Sequence, residues 1–322
     1  MSVPLRIAAA ALFGALVLPP AALAGPSPSG VNLAAADGYN LVTFSGATLS
    51  DSDIEGTAAV GGNATFDSYS IGDQAGISNP LTAAFVVGGN LTAGNGNVFE
   101  GSIYVAGTYS GPGYSLDSAP GSVTEPSLGS AGIPFDFGAA QMALKADSHQ
   151  DSLLAANGTA ISHFSTLTLT GTSAGLNVFD LTDAELASDT TLDIDAPTGS
   201  QVLINVSGAT DTFSDLGYNG TFSDDADILY NFYQATTLSM VGIGVEGSVL
   251  APGAAVNFTS GQLNGELIAY SFTGGGELHA HSFDNRPSGP PSVPDGGGTA
   301  LMLVAALAGS FVAAGRRVSA TV

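Results

Sequence analysis

The stretch Val245 to Tyr270, VEGSVLAPGAAVNFTSGQLNGELIAY, contains one pattern twice, and few folds accommodate that. Displaced by 18 residues, Val245 falls on Leu263, Glu246 on Asn264, Gly247 on Gly265, Val249 on Leu267, Leu250 on Ile268 and Ala251 on Ala269. The same frame recurs at Ile54-Glu55-Gly56-Thr57-Ala58 and at Phe99-Glu100-Gly101-Ser102-Ile103. It reads apolar, acid or amide, glycine, small or polar, apolar: a strand entered through a tight turn. Repetition at a near-constant pitch stacks such strands into a solenoid. The expected fold class is therefore mainly β, a β-helix-like solenoid of three short faces, with Gly247 and Gly265 as vertical neighbours. A strand of five or six residues spans about 17–20 Å, which suits a three-sided turn. A β-sandwich would show hairpin dipeptides at short intervals without an aligned glycine frame.

The pattern extends along the chain. Leu41, Thr43 and Ser45 interleave with Val42 and Phe44, after a short cap at Asn32 to Ala36. Asp51-Ser52-Asp53 turns into the strand Ile54 to Val60. The corner Gly61-Gly62-Asn63 recurs as Gly88-Gly89-Asn90, and stacked Asn residues can form a side-chain ladder. Extra length loops out around Gly76 to Pro80. Gly111 to Pro134 reads as a long surface connection. Short strands follow at Thr166–Thr170, Asn177–Leu181, Thr191–Ile194, Gln201–Val206, Ile228–Phe232 and Thr237–Ile243. The last ends near Phe283.

One α-helix packs alongside. Asp136 is its N-cap and Asn157-Gly158 its stop. Ala139, Met142, Ala146, His149 and Leu153 form an apolar stripe at helical spacing. Burying Met142 or Leu153 against a sheet would contribute roughly 1.5–3 kcal/mol each. The helix and Leu33 to Ala36 are the candidates for capping the ends of the coil.

The net charge is −23, from 28 carboxylates against 5 lysines and arginines. Such an acidic body repels nucleic acid and anionic lipid; it could attract Ca²⁺ or a basic partner, and colloidal solubility in salty surroundings is the simpler reading. Cysteine is absent, so stability must come from packing and backbone ladders.

Candidate chemistry is sparse. Asp224, Asp225 and Asp227 are the best oxygen-ligand cluster for calcium, with Asp193 and Asp195 next. Neither matches a calcium-loop motif, and a solvated acidic turn is the simpler reading. Asp225 and Asp227 could also be cast as acid and base in a secreted β-helix carbohydrate-active enzyme. His279 and His281 share one strand face, but a zinc site needs a third ligand. His149 reads as a packing residue. The sequence has no nucleophile elbow, phosphate loop or His-Glu-x-x-His. No catalytic residue, firm metal ligand or cofactor is assigned.

The two ends read as addresses. Residues 1–24 form a secretory signal, with Arg6, the apolar run Ile7 to Leu18, and Ala22 and Ala24 before the cleavage site of signal peptidase. Residues 285–292 read as a linker. Residues 293–317 carry Val293, Pro294, Asp295, Gly296 and Gly297, then a short apolar run, Ala300 to Ala314, and the membrane stop Arg316-Arg317. This order resembles the VPDSG variant of the bacterial PEP-CTERM sorting signals, with Gly296-Gly297 where that motif has Ser-Gly. The resemblance implies an exosortase-type processing enzyme and a membrane anchor, transient or permanent.

Between them, residues 31–284 resemble the choice-of-anchor A domain. The likeness rests on Asp53-Ile54-Glu55-Gly56 through Val60-Gly61-Gly62-Asn63, Leu229-Tyr230-Asn231-Phe232, Val245 to Pro252 and Asn264-Gly265-Glu266-Leu267-Ile268-Ala269. It implies a non-enzymatic, adhesin-like β-helix on bacterial surfaces or in a biofilm matrix, with exopolysaccharide or a cell-surface ligand as partner. A helix beside a coil also resembles ice-binding β-solenoids in shape, which keeps a calcium- or ice-binding structural role as an alternative. No regular Thr-x-Thr column is visible on successive rungs of the sequence.

Overall fold

A computed structural model describes residues 30–79, 82–111, 132–219 and 227–286. The expected signal, sorting motif, Arg pair, Asp224 and Asp225 lie outside these residues. Within them the chain is a three-faced coil of parallel strands, as the glycine frame implies. The register is the one given by the 18-residue displacement: Val245 pairs with Leu263, Glu246 with Asn264, Val249 with Leu267, Leu250 with Ile268 and Ala251 with Ala269. Gly247 and Gly265 stack directly, and a Cβ on Gly265 would run into the carbonyl of Gly247. Pro252 to Ala254 interrupts the register, and beyond it Ala255 pairs with Ser271.

The rungs do not stack in chain order. Along the first face the order is 176–182, 201–207, 228–231, 248–251, 267–269, 41–43, 58–60, 83–87 and 102–105. The first coil thus lies in the middle, between the last coil and the second. The chain winds outward to residue 110, runs back along the stack as helix α1 (Phe137–Asp151) and winds inward from the far end. The seam closes where Leu41–Thr43 pair with Leu267–Ala269, Ala47–Leu49 with Phe272–Gly274, and Ile54 with Leu278.

The interior is one apolar column. Phe66, Phe85, Phe179, Phe213, Phe258 and Tyr230 are buried in it with Leu41, Val249 and Leu267. Burying each such side chain is worth roughly 1.5–3 kcal/mol, which makes this column the main stabilising element. A second apolar layer covers the outside of the first face: Val42, Ala59, Leu203, Leu229 and Ile268 pack under Leu33, Phe135, Leu144 and Phe283. The Asn ladder also forms at the corners. Asn63 Oδ1 accepts from Asn90 N–H at 2.9 Å, and Asn90 Oδ1 accepts from Thr108 N–H at 2.8 Å.

Three expectations need correction. Helix α1 starts at the Asp136 cap, whose carboxylate accepts from Ala139 N–H at 2.9 Å, but it ends at Asp151. Asn157 instead clamps the end strand, accepting from Val178 N–H at 2.7 Å and donating to Leu176 O at 2.9 Å. The stripe is also on another face: Ala140, Leu144 and Ser148 are buried, whereas Met142 is 72% and Leu153 65% exposed. The helix docks partly through polar groups, which an apolar-spacing rule does not see. Ser148 Oγ donates to Asn231 Oδ1 at 2.6 Å, and Asn231 Nδ2 donates to Ser148 O and to Asn205 Oδ1. Finally, Leu33–Ala36 caps no end of the coil, because the first coil is internal to the stack. It packs in the covering layer with α1. The end at 176–182 is closed instead by residues 157–163 and by helix α2 (Asp183–Ala187), which starts with a capping box between Thr182 and Glu185.

Candidate binding face

Each rung's second face alternates strictly. In Thr210–Ser214, Asp211 and Phe213 point inward; in Ala47–Ser50, Ala47 and Leu49 do; in Ala64–Asp67, Ala64 and Phe66 do. The residues between them point outward, as a period of two requires. Threonine suits these positions because its branched Cβ fits the pleated surface.

Stacking turns these single threonines into a column. Thr212 pairs with Ser239, Ser239 with Asn257, Asn257 with Thr273, Thr273 with Thr48, Thr48 with Thr65, Thr65 with Thr92 and Thr92 with Ser110. Ser239 is half-buried and the other seven are exposed. All carry a hydroxyl except Asn257, and none carries a charge. At strand spacing the eight rungs extend about 33 Å. A second column begins beside it, with Thr210 on Thr237, Thr237 on Ala255 and Ala255 on Ser271. On a chain of net charge −23 this column is an uncharged, hydroxyl-rich stripe on parallel strands, with Asp67 the exposed acid beside it on the Thr65 strand.

A Thr column was not expected from the sequence, and the rung order explains why. The gaps from Thr48 to Thr65 and to Thr92 are unequal, and Thr212 to Thr273 belong to the other half of the stack. No fixed period links them along the chain.

The third face carries a different chemistry. Glu246, Asn264 and His279 stack on consecutive strands, with Asn264 Nδ2 donating to Glu246 Oε2 at 2.7 Å and Asn264 Oδ1 facing His279 Nδ1. Glu55, Glu277 and His279 form one group of ligating atoms. His281 does not share this strand face, because the strand ends at His279 and the His281 N–H turns back to His279 O. Burial and the adjacent Glu277, Asp73 and Glu55 raise the Asp53 carboxyl above its usual range.

Of the calcium candidates, Asp227 is buried and ion-paired with Arg286, which also donates to Gly199 O at 2.7 Å. Asp193 and Asp195 lie on the strand Thr191–Asp195. His149 is exposed on α1 rather than packed. Burial also perturbs acids that the sequence does not single out, among them the buried Glu266 and the half-buried Asp151. Glu266 accepts from Phe283 N–H at 3.2 Å through Oε1, Oε2 has no partner among the described residues, and burial pushes its carboxyl up to about 7. Asp151, under the end of α1, is likewise pushed up to about 7 by burial and by Asp147.

The covered first face also holds both ends of the described chain. Gln201 Nε2 donates to Val31 O at 3.2 Å and to Asp284 O at 2.7 Å, so residues 31 and 284 meet at one strand. The hydroxyl wall belongs to a separate face and is not covered by these segments.

The chain has likenesses among known proteins. A search of the curated proteins gives no match. Among solved structures it is similar to the DUF3494 domain of ice-binding protein 1 from Shewanella frigidimarina, at 14% identity and a TM-score of 0.35, over 80% of this chain and 98% of that one. It is also similar to an ice-binding protein from an Antarctic biological consortium, at 12% identity and a TM-score of 0.28, over 79% and 90%. The family model described as "Putative Ice-binding-like adhesive domain" matches residues 32–280, nearly the whole described solenoid. The chain belongs to this ice-binding-like adhesive domain family.

Proposed function

We propose that this protein is a non-enzymatic surface adhesive whose hydroxyl wall adsorbs to an ordered, hydrogen-bonding surface, with ice as the first ligand class. The single observation that carries the reading is the uncharged column Thr212, Ser239, Asn257, Thr273, Thr48, Thr65, Thr92 and Ser110, in register on a flat sheet. Hydroxyls fixed at strand spacing hold water in a repeating pattern, and a rigid sheet loses little entropy when it meets a second lattice. The family membership supports the same reading.

The wall is also suited to hydroxyl-rich exopolysaccharide, the ligand expected from the choice-of-anchor A resemblance. No residue of the column itself is charged, although Asp67 is exposed two residues beyond Thr65 and Asp183 accepts from Thr212 N–H at one end, and an uncharged column favours a neutral surface over an acidic glycan or a cell envelope. Residues 1–24 and 293–317 direct export and anchoring in this proposal, through signal peptidase and an exosortase-type enzyme, and place the domain at the cell surface or in the matrix. What supports this is the sequence order of those segments, together with ends that meet on the covered face.

The test is partition of the full chain into a slowly grown ice hemisphere, with neutral and acidic polysaccharide resins in parallel. Enrichment in ice supports the reading. Exclusion from ice with retention on a polysaccharide would replace ice with glycan as the ligand.

A further inference from the structure

The third face holds a donor cluster contributed by both halves of the stack. Leu278 pairs with Ile54, so Glu277 and His279 of the last coil lie alongside Asp53 and Glu55 of the first. Glu55, Glu277 and His279 each present one ligating atom, all within 4.8 Å of one another. His279 Nε2 lies 3.1 Å from Glu277 Oε1. Glu55 is fixed from two sides, by Gln74 Nε2 on Oε1 at 2.5 Å and by Ala280 N–H on Oε2 at 2.9 Å.

The tautomer of His279 is set from outside the cluster. Asn264 gives its amide N–H to Glu246, so its carbonyl oxygen faces His279 Nδ1. A carbonyl oxygen only accepts, so Nδ1 carries a proton, and in the neutral ring Nε2 keeps its lone pair. That lone pair points at carboxylates, which also only accept. A carbonyl behind the far ring nitrogen is the arrangement that orients metal-bound histidines. Among the described residues the cluster has no nearby lysine or arginine to balance it: Lys145 is on α1, and Arg286 is engaged by Asp227 and Asp284.

We propose that Glu55, Glu277 and His279 bind a zinc-class divalent cation that clamps the last coil to the first. One imidazole and two carboxylates supply three ligands and leave a fourth tetrahedral position for water. The imidazole selects this class over calcium, which takes six to eight oxygens. The clamp sits where the seam is thinnest. Leu278 with Ile54 is one paired position, against three at Leu41–Thr43 and three at Ala47–Leu49.

The test is calorimetric and thermal titration of the untagged full-length protein with zinc chloride alone, with calcium and magnesium chloride in parallel. One zinc per chain is expected. At zinc about a hundredfold above its Kd, the melting temperature should rise by roughly 5–10 °C, with no comparable rise for calcium or magnesium. His279→Ala and Glu277→Gln should abolish that rise while keeping the metal-free melting temperature. Asn264→Ala should weaken zinc binding by roughly 10–100-fold. No stoichiometric zinc binding, or an equal rise in His279→Ala, would overturn the proposal and leave only the His279–Glu277 contact across this face.

Discussion

Ser148 and Asn231 hold each other by two hydrogen bonds, Ser148 Oγ to Asn231 Oδ1 at 2.6 Å and Asn231 Nδ2 to Ser148 O at 2.8 Å. The pair is buried and ties helix α1 to the strand Ile228–Asn231. Asn205 extends it, donating to Asp151 O at 3.0 Å. Asn231→Ala takes the partner from two buried polar atoms, Ser148 Oγ and Asn205 Oδ1, at about 1–3 kcal/mol each, while Ser148 O keeps its bond from Ser152 N–H. Its melting temperature should fall by at least about 4 °C. Met142→Ala, on the exposed side of the same helix, should stay within about 0.5 kcal/mol of the parent. Chemical denaturation of the two variants checks the contrast.

The stacked glycines give a second prediction. Gly265→Ala places a methyl against the Gly247 backbone, and relief needs a shift of the rung. The expected cost is about 1–3 kcal/mol, typical of overpacking. Gly175→Ala meets only Ser173 Oγ at 3.9 Å and should be close to neutral. Equal melting temperatures for both variants would contradict the tight stacking at Gly265.

Stability should also depend on pH. Burial pushes the Glu266 carboxyl up to about 7 in the folded chain from an ordinary 4.5, and burial with Asp147 pushes Asp151 up to about 7 from 3.8. Between those limits the folded chain holds more protons than the unfolded chain, so stability falls as pH rises from about 4 to 7 and then levels off. The double variant Glu266→Gln, Asp151→Asn should flatten this fall in a series of melts. The part that remains reports Asp211, which burial and Asp183 push up to about 6, together with the general repulsion of a chain with net charge −23.

The sequence exposed whatever repeats at short range. The 18-residue displacement of Val245 to Ala251 onto Leu263 to Ala269 gave both the coil and its register, because adjacent rungs there are adjacent in sequence. The Asn63–Asn90 ladder was legible for the same reason. Thr273 against Thr48 was not, since those rungs meet only after the chain has travelled to both ends of the stack. The helix face was misread because Ser148 and Asp151 face the sheet. Polar residues on an inner face are invisible to a rule that counts apolar spacing. His279 beside Glu55 belongs to the same seam and was equally hidden.

The most direct test of the hydroxyl wall is ice partition of Thr48→Tyr, placed mid-column and exposed, against Met142→Tyr on the helix. The account predicts unchanged melting for both. Ice incorporation should fall by roughly tenfold, equivalent to about 1.4 kcal/mol, for Thr48→Tyr alone. Undiminished incorporation of folded Thr48→Tyr, or an equal loss in Met142→Tyr, would contradict the claim that this face is the adhesive surface.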